Sequence, residues 1–196
     1  MQPPESEEQR RRAIAAAVAL TANTPQAPQR YERQLLGRYQ RGDISIEQVI
    51  SLLDDSVYQV LYHSQAAGLV SEAELQSLLA QARSFNTRHH LTGILLYSDG
   101  RFVQLLEGPE PEVRALYAKI QQDRRHTQVV TMSEGPGPGR RFADWSMGLG
   151  RTAGPAAAHA LDALLVQEDL PAPELAEPYL RALLQAFGVP FGEPGR

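Results

Sequence analysis

The chain has 196 residues, of which 42% are hydrophobic, and its 23 acidic and 19 basic side chains leave a formal net charge of −4. This length predicts one domain with extensions, and the acidic excess argues against a general nucleic-acid-binding protein. Because the sequence contains no cysteine, disulfides and thiolate metal sites are excluded, which fits a cytoplasmic location. The longest apolar run, residues 13–20, is too short to cross a membrane.

Residues 1–55 are interpreted as an N-terminal helical extension. Helices are predicted over residues 6–22 and 29–40, with a proline-containing break between them. A third helix is predicted to begin at Ser45, because this serine and Gln48 have the spacing of a capping box and apolar residues follow on one helical face. We expect these helices to pack on the main domain or on a second chain, since they offer little apolar surface for a core of their own.

From residue 57 the pattern alternates between strands and helices. The dipeptide at 99–100, Asp-Gly between two apolar runs, predicts a β-hairpin. The predicted elements are strands over 57–64, 91–97, 101–107, 127–132 and 145–149, and helices over 71–85 and 111–123. This order, βαββαβ with a fifth strand, is typical of the α+β ferredoxin-like fold, in which the first and third strands lie side by side. The Gly/Pro-rich stretch 135–139 is predicted to be a loop.

One polar side chain stands out in the predicted third strand. Gln104 lies among apolar residues, and a buried amide costs free energy unless its oxygen and its N–H groups find partners. Tyr62 lies on the apolar face of the predicted first strand, with Tyr58 and Val60. If these strands are neighbours, a phenol and an amide meet beneath the helices.

The C-terminal segment, residues 151–196, is interpreted as a helical cap. Helical patterns cover 156–166 and 178–187, and the second carries an apolar stripe that includes Leu184 and Phe187. We expect this segment to cover the free face of the sheet or to act as a dimer element.

Five short stretches within residues 56–150 carry polar and aromatic residues in a defined order. They are Leu-Tyr-His-Ser from Leu61, Asn86 leading to Leu-Thr-Gly, Phe-Val-Gln-Leu-Leu-Glu-Gly from Phe102, Asp-Arg-Arg-His from Asp123 and Arg-Phe-Ala-Asp-Trp-Ser-Met from Arg141. Together they resemble the BLUF family, blue-light sensors that use a flavin. The resemblance covers about half of the chain.

The resemblance implies a flavin that is bound without a covalent bond. Tyr62 would donate an electron and a proton to the excited flavin, and Gln104 would bridge the Tyr62 hydroxyl and the polar rim of the ring. Asn86 would hold a ring carbonyl and the neighbouring imide N–H. In such proteins the glutamine rotates or tautomerises after electron transfer, and the visible absorption moves slightly to the red.

The same resemblance assigns four further residues. Arg125 and His126 resemble positions near the ring and its phosphate-bearing tail, and Trp145 and Met147 resemble a last-strand pair that carries the rearrangement outward. FAD is the expected cofactor. FMN and riboflavin remain alternatives, because such a pocket recognises mainly the ring, which all three flavins share. The resemblance also implies a homo-oligomeric sensor that regulates an unidentified protein partner and is not itself an enzyme.

Two other interpretations stay open at this point. The βαββαβ pattern also suits a flavin-free ferredoxin-like interaction module, for which a colourless protein would be the evidence. Residues 9–54 bear a weaker resemblance to small helical antitoxins of Fic-type toxins. The inhibitory turn of those antitoxins is not visible around residues 21–25, so the arm is interpreted as a packing or partner module.

The remaining polar clusters are interpreted as solvent-exposed. His89 and His90 lack the paired carboxylate or cysteine pattern of a metal site, so no metal is predicted. Glu107, Glu110 and Glu112 resemble paired acids, but a solvated loop and helix start explains them better.

Overall fold

The structure is a computed structural model and describes residues 6–151 together with Arg181, Leu184, Gln185, Phe187 and Val189. Spatial proximity divides the chain into two compact units. The first comprises the residues up to Ser56 together with Gly135–Pro138, and the second comprises Val57–Glu134 together with the residues from Gly139 onward. The helix predicted over 156–166 lies outside the described residues.

The first unit contains three helices. Their bounds are α1 (Glu7–Thr21), α2 (Arg30–Arg41) and α3 (Ile46–Asp54). The capping box before α3 forms as predicted, since the Ser45 hydroxyl accepts the backbone N–H of Gln48 at 3.3 Å and the Gln48 side chain accepts the backbone N–H of Ser45 at 2.8 Å. The second helix is capped by Gly42, which has a φ of 82°. Glycine adopts this left-handed conformation readily because it has no Cβ.

The first unit also has a small apolar core, so the expectation that its helices lack one is wrong. Tyr31 and Leu35 of α2 pack with Ile44 and Val49, and all four side chains are buried. A count of apolar residues per helix underestimates this core because Ile44 precedes α3 and belongs to no helical stripe.

The second unit is a mixed sheet with two helices, which confirms the predicted α+β ferredoxin-like fold. Its elements are β1 (Val57–Ala66), α4 (Glu72–Arg88), β2 (Thr92–Ser98), β3 (Arg101–Gly108), α5 (Glu110–Gln121), β4 (His126–Gly137, of which residues 135–137 are grouped with the first unit) and β5 (Gly148–Arg151). The strand order is β4-β1-β3-β2-β5, so the first and third strands lie side by side as predicted. β3 is antiparallel to both β1 and β2, whereas β5 is parallel to β2.

Two strands differ from the prediction. β4 continues to Gly137 through part of the predicted loop, because an edge strand tolerates Pro136, which has no N–H to donate. β5 begins at Gly148 and not at residue 145. The backbone N–H of Trp145 donates to the carbonyl of Phe142 at 2.9 Å, so the chain is still turning there.

The two faces of this sheet pack against different parts of the chain, since successive side chains of a strand point to opposite sides. On one face the buried side chains of β1 and β3, including Val60, Tyr62 and Leu106, pack with apolar residues of α4 and α5. On the other face Leu61, Val103 and neighbouring residues form a second cluster, which contains no residue of α4 or α5.

Three C-terminal side chains lie on that second face. Leu184, Phe187 and Val189 are buried there in one cluster with Leu96 and Phe142. The described positions of the predicted 178–187 helix are helical at 181, 184 and 185. None of the helices in the described part of the chain is long and apolar enough to cross a membrane.

Candidate functional site

Tyr62 and Gln104 face each other on the two central strands. They are paired directly across the β1–β3 ladder, on the sheet face that the helices cover. The Tyr62 hydroxyl donates to Oε1 of Gln104, and Nε2 of Gln104 points at the Met147 sulfur at 3.6 Å. Tyr62 has no exposed surface, and this burial raises the pKa of its phenol. The site therefore joins a neutral phenol to an amide whose N–H groups have only a weak acceptor.

Asn86 occupies the last turn of α4 and is 1% exposed. Its Nδ2 donates to the backbone carbonyl of Ser146 at 2.6 Å. Its Oδ1 is buried without a hydrogen-bond partner in the described structure. A buried acceptor without a donor costs about 1–3 kcal/mol, so this oxygen is placed to accept a hydrogen bond from a bound molecule.

A cavity of about 210 Å³ connects these side chains. Its floor is the sheet, its walls come from α4 and α5, and the residues after α5 form its polar end. The lining residues are Tyr62, Leu78, Gln81, Ala82, Phe85, Asn86, Leu95, Gln104, Leu116, Lys119, Ile120, Asp123, Arg125, His126 and Met147. An apolar slot with a few polar groups at its rim suits a flat ring system.

Arg125 and His126 both line this cavity at its polar end. The Arg125 guanidinium binds the carboxylate of Asp123 through Nε and Nη2, at 3.0 Å and 2.5 Å. This hydrogen bond lowers the pKa of Asp123 to about 2. Nδ1 of His126 lies 3.0 Å from the hydroxyl oxygen of Ser64. Burial lowers the pKa of the His126 imidazole.

A second cavity of about 470 Å³ lies next to the first. The two share Leu78, Arg125 and His126 in their linings, and the second adds Arg124 and the 66–70 turn. A molecule with a ring in the first cavity and an anionic tail would find basic side chains where the cavities meet.

Trp145 and Met147 do not lie on the last strand but precede it. Met147 is buried and lines the cavity beside Gln104. Trp145 is 39% exposed, and its ring stacks on Phe142 at a centroid distance of 5.6 Å. Only one member of the predicted pair therefore touches the site, because the turn before β5 directs the indole outward.

Sequence reasoning missed two basic residues, one that lines the cavity and one that holds the backbone of Met147. Lys119, the single lysine of the chain, lines the cavity and holds its Nζ 5.0 Å above the Phe85 ring. Arg83 of α4 donates from Nε to the Met147 carbonyl at 3.0 Å. Lys119 comes one helical turn after Leu116 of the apolar stripe of α5, so helical spacing could have placed it on the cavity face. The partner of Arg83 could not be predicted locally, because Met147 lies 64 residues away along the chain.

The interpretation of Glu107 as solvated is wrong, whereas the His89 side chain is 37% exposed and makes contacts at the surface. Glu107 has no exposed surface, and its burial raises the pKa of its carboxyl group. His89 stacks on Phe85 at 4.1 Å and places Nδ1 2.6 Å from the carboxylate of Glu112. Within the described residues no three histidine, aspartate or glutamate side chains are grouped to hold a metal ion.

The comparisons with known proteins agree with this geometry. A family model described as "Sensors of blue-light using FAD" (BLUF) matches residues 57–148. The structure titled "BlrB - a BLUF protein, dark state structure" is 31% identical, with a TM-score of 0.52 over 67% of this chain and 98% of that chain. The photo-activated state of BlsA is 25% identical, with a TM-score of 0.53 over 70% of this chain and 99% of that chain.

Two curated relatives match over a smaller part of their own length. Photoactivated adenylate cyclase subunit beta of Euglena longa is 34% identical over 64% of this chain and 16% of the relative. The blue light- and temperature-regulated antirepressor BluF of Escherichia coli strain K12 is 34% identical over 46% of this chain and 22% of the relative. The chain thus spans less than a quarter of either relative. These matches give no support to the antitoxin resemblance of the N-terminal helices.

Proposed function

The chain belongs to the BLUF family of flavin-dependent blue-light sensors, and we propose that Tyr62, Gln104 and Asn86 are the residues through which it responds to light. The observation that carries the proposal is the buried Tyr62–Gln104 hydrogen bond at the floor of the cavity. A photoreceptor of this kind controls another protein and needs no nucleophile of its own.

The unsatisfied polar atoms of the cavity fit the rim of a flavin ring. Oδ1 of Asn86 lacks a donor, which the imide N–H of the ring would supply. Nε2 of Gln104 has only the Met147 sulfur as a partner, and the ring carbonyls and nitrogens are better acceptors. Apolar side chains such as Leu78 and Ile120 would cover the two faces of the ring.

When bound, the flavin supplies the absorption of blue light and an acceptor for one electron. Tyr62 would be the donor, and the hydrogen bond from its hydroxyl to Gln104 provides a path for the phenol proton. The glutamine amide carries a donor and an acceptor, so it can exchange its two ends without moving charge through a buried site. The raised pKa of Tyr62 keeps the phenol protonated until light acts.

The basic residues between the two cavities support FAD as the flavin. Arg124 and Arg125 would bind the phosphates of the tail, since guanidinium groups pair well with phosphate oxygens. Arg125 is held in place by Asp123, and the second cavity has room for the rest of the tail. Comparison of FAD, FMN and riboflavin in one binding titration separates the three, because riboflavin has no phosphate, FMN has a single phosphate and FAD has a diphosphate that carries adenosine.

The output is proposed to leave the site through Met147, which contacts Gln104, and through the adjoining Trp145. A light-altered hydrogen bond is worth about 1 kcal/mol, so it biases a two-state element and does not drive a large change by itself. A downstream protein partner, a homo-oligomeric state and a cytoplasmic location belong to this proposal. They are supported by the family and by the lack of cysteine.

The test is an absorption spectrum of the flavin-loaded protein, in the dark and after blue light. We expect a reversible red shift that Tyr62→Phe and Gln104→Leu each abolish while the flavin stays bound. The matched control is Tyr58→Phe, which removes the same hydroxyl from the same strand and sheet face but at a position that bonds Glu134 and does not line the cavity.

The outcomes separate the competing accounts. A normal light response in Tyr62→Phe or Gln104→Leu would contradict the roles proposed for these residues. A colourless protein that rejects all three flavins would instead support the flavin-free interaction module. Loss of the shift in Tyr58→Phe as well would mean that the assay reports general damage.

A further inference from the structure

The segment Arg140–Met147, called here the crossing segment, passes from one face of the sheet to the other. Phe142, near its start, is buried with Leu61 and Val103 on the face opposite the cavity. Met147, at its end, is buried on the cavity face beside Gln104. A short stretch of chain therefore connects the far face of the sheet to the cavity wall.

Glu107 holds the start of this segment. Its two carboxylate oxygens accept the backbone N–H of Arg141 at 3.1 and 3.2 Å, and Oε2 accepts the backbone N–H of Phe142 at 3.1 Å. Side chains of the neighbouring strands complete the shell, with Nε2 of Gln59 and the hydroxyl of Thr92 each at 3.3 Å. A buried carboxylate is costly unless it is well hydrogen-bonded, and here it accepts from four residues.

Arg140 adds a second layer to the same attachment. Its Nη1 donates to the Thr92 hydroxyl at 2.9 Å and to the Glu107 backbone carbonyl at 3.2 Å, and its Nη2 donates to the His90 carbonyl at 2.5 Å. The guanidinium of Arg141 also attracts the Glu107 carboxylate. The start of the crossing segment is thus bound to β2 and β3 by charge as well as by hydrogen bonds.

The end of the segment is held from the cavity side. Three consecutive carbonyls, those of residues 145–147, accept hydrogen bonds from the backbone N–H of Gly93 at 3.2 Å, from Nδ2 of Asn86 at 2.6 Å and from Nε of Arg83 at 3.0 Å. Asn86 and Met147 both line the cavity. The segment therefore has one attachment that belongs to the site and one, Glu107, that does not.

We infer that Glu107 is a positioning residue that sets the position of Met147 beside Gln104 by holding the crossing segment on the far face of the sheet. Gln104 and Glu107 lie on the same strand and point to opposite faces, and each contacts one end of the segment. This inference rests on the proposed function only for its effect on the light response. The placement of the segment itself can be tested without light.

The test uses Trp145, the single tryptophan of the chain, which lies within the crossing segment. The variant is Glu107→Gln, which keeps the shape but leaves one oxygen where two accepted hydrogen bonds. We expect stronger quenching of the Trp145 fluorescence by acrylamide and a shift of its emission to the red, because a released segment exposes the indole further. The matched control is Val103→Ala, a truncation on the same strand and face in the cluster that also contains Phe142, so it measures how the Trp145 signal responds to lost packing without the loss of a hydrogen bond.

A second variant keeps the test decisive if Glu107→Gln does not fold. Thr92→Val removes one donor to Glu107 and the acceptor of Arg140 but leaves the carboxylate in place. We expect the quenching of Trp145 to increase in this variant too, but by less than in Glu107→Gln. Quenching unchanged from the parent protein in a folded Glu107→Gln, or in Thr92→Val where the first variant does not fold, would overturn the inference, as would an equal increase in Val103→Ala.

The flavin-loaded protein supplies the functional readout. We expect Glu107→Gln to keep the red shift but to return to its dark spectrum about fivefold faster, the change that one net hydrogen bond supports. Val103→Ala should return at the parent rate. Altered quenching without any light response in the parent protein would refute the proposed function and leave the placement by Glu107 standing. Unaltered quenching with a normal light response would refute the placement by Glu107 and leave the proposed function standing.

Discussion

Buried polar side chains determine what the second unit can do, and they differ in how well they are partnered. The Tyr62 hydroxyl satisfies the amide oxygen of Gln104, whereas Nε2 of Gln104 has only the Met147 sulfur as a partner and Asn86 keeps an oxygen without a protein donor. A buried unpaired acceptor costs about 1–3 kcal/mol, so a ligand that donates to Asn86, as proposed for the flavin, would stabilise this arrangement. Glu107 is the opposite case, because its hydrogen bonds are complete and its cost lies in burying a charge.

The burial of Glu107 predicts how stability depends on pH. Burial raises the pKa of this carboxyl group above its ordinary value of 4.5, although the hydrogen bonds from Arg141 and Phe142 oppose the shift. The folded state then binds the proton more tightly than the unfolded state. The contribution of Glu107 to the free energy of unfolding is therefore largest below pH 4.5 and falls as the pH rises through the folded pKa.

We expect the free energy of unfolding of the parent protein, relative to that of Glu107→Gln, to decrease with rising pH in that window. The slope is at most about 1.4 kcal/mol per pH unit, the limit for one proton. Urea unfolding of both proteins between pH 4 and 7 measures it, with the pH range set by the ordinary carboxyl pKa. A difference that stays constant or increases with pH would contradict a raised pKa.

The β2–β3 hairpin shows how one element places the site. Its turn residues Asp99 and Gly100 have φ of 48° and 82°, which is the backbone that Asp-Gly favours between antiparallel strands. This turn sets the register that brings Leu95 opposite Gln104 in the cavity floor. The register is further restricted at Gly93, where the backbone of the neighbouring strand comes too close for a side chain.

Gly93→Ala is the prediction at this scale. A Cβ there would lie 2.1 Å from the Leu105 carbonyl oxygen, so the strands must separate or shift. We expect a loss of about 3 kcal/mol in the free energy of unfolding, at the upper end for overpacking. The control is Gly100→Ala, which meets no atom within 4 Å but has a positive φ and should cost about 1 kcal/mol. Chemical denaturation compares the two, and an equal cost would refute the close-approach argument.

At the scale of the whole molecule, both faces of the second unit's sheet are apolar and both must be covered. Helices α4 and α5 cover one face, and three C-terminal side chains are buried on the other. The first unit has a separate core around Leu35.

Leu184→Ala tests the contribution of the C-terminal residues. Leu184 is 1% exposed in the cluster with Leu96 and Val103, and a truncation at such a site costs about 2–5 kcal/mol. The adjacent Gln185 is exposed, and Gln185→Ala should change stability by about 0.5 kcal/mol or less. Thermal unfolding of both variants measures the difference. Equal midpoints would show that the C-terminal contact does not stabilise the sheet.

Local patterns in the sequence were sufficient for the elements and for the pair at the centre of the site. Hydrophobic alternation, capping boxes and the Asp-Gly turn predicted the order of strands and helices. That order places the first and third strands together, which brings Tyr62 to Gln104. These features depend on residues that are close in sequence, or on a topology that short connections restrict.

Only the tertiary structure decided where the other polar groups lie. Glu107 looked solvated because its donors come from β1, β2 and the crossing segment, up to 48 residues away along the chain. Trp145 looked like a strand residue because nothing local marks the turn that precedes β5. Burial and hydrogen-bond partnership are properties of the packed chain, so a charge or an aromatic ring reveals its role only when distant segments meet around it.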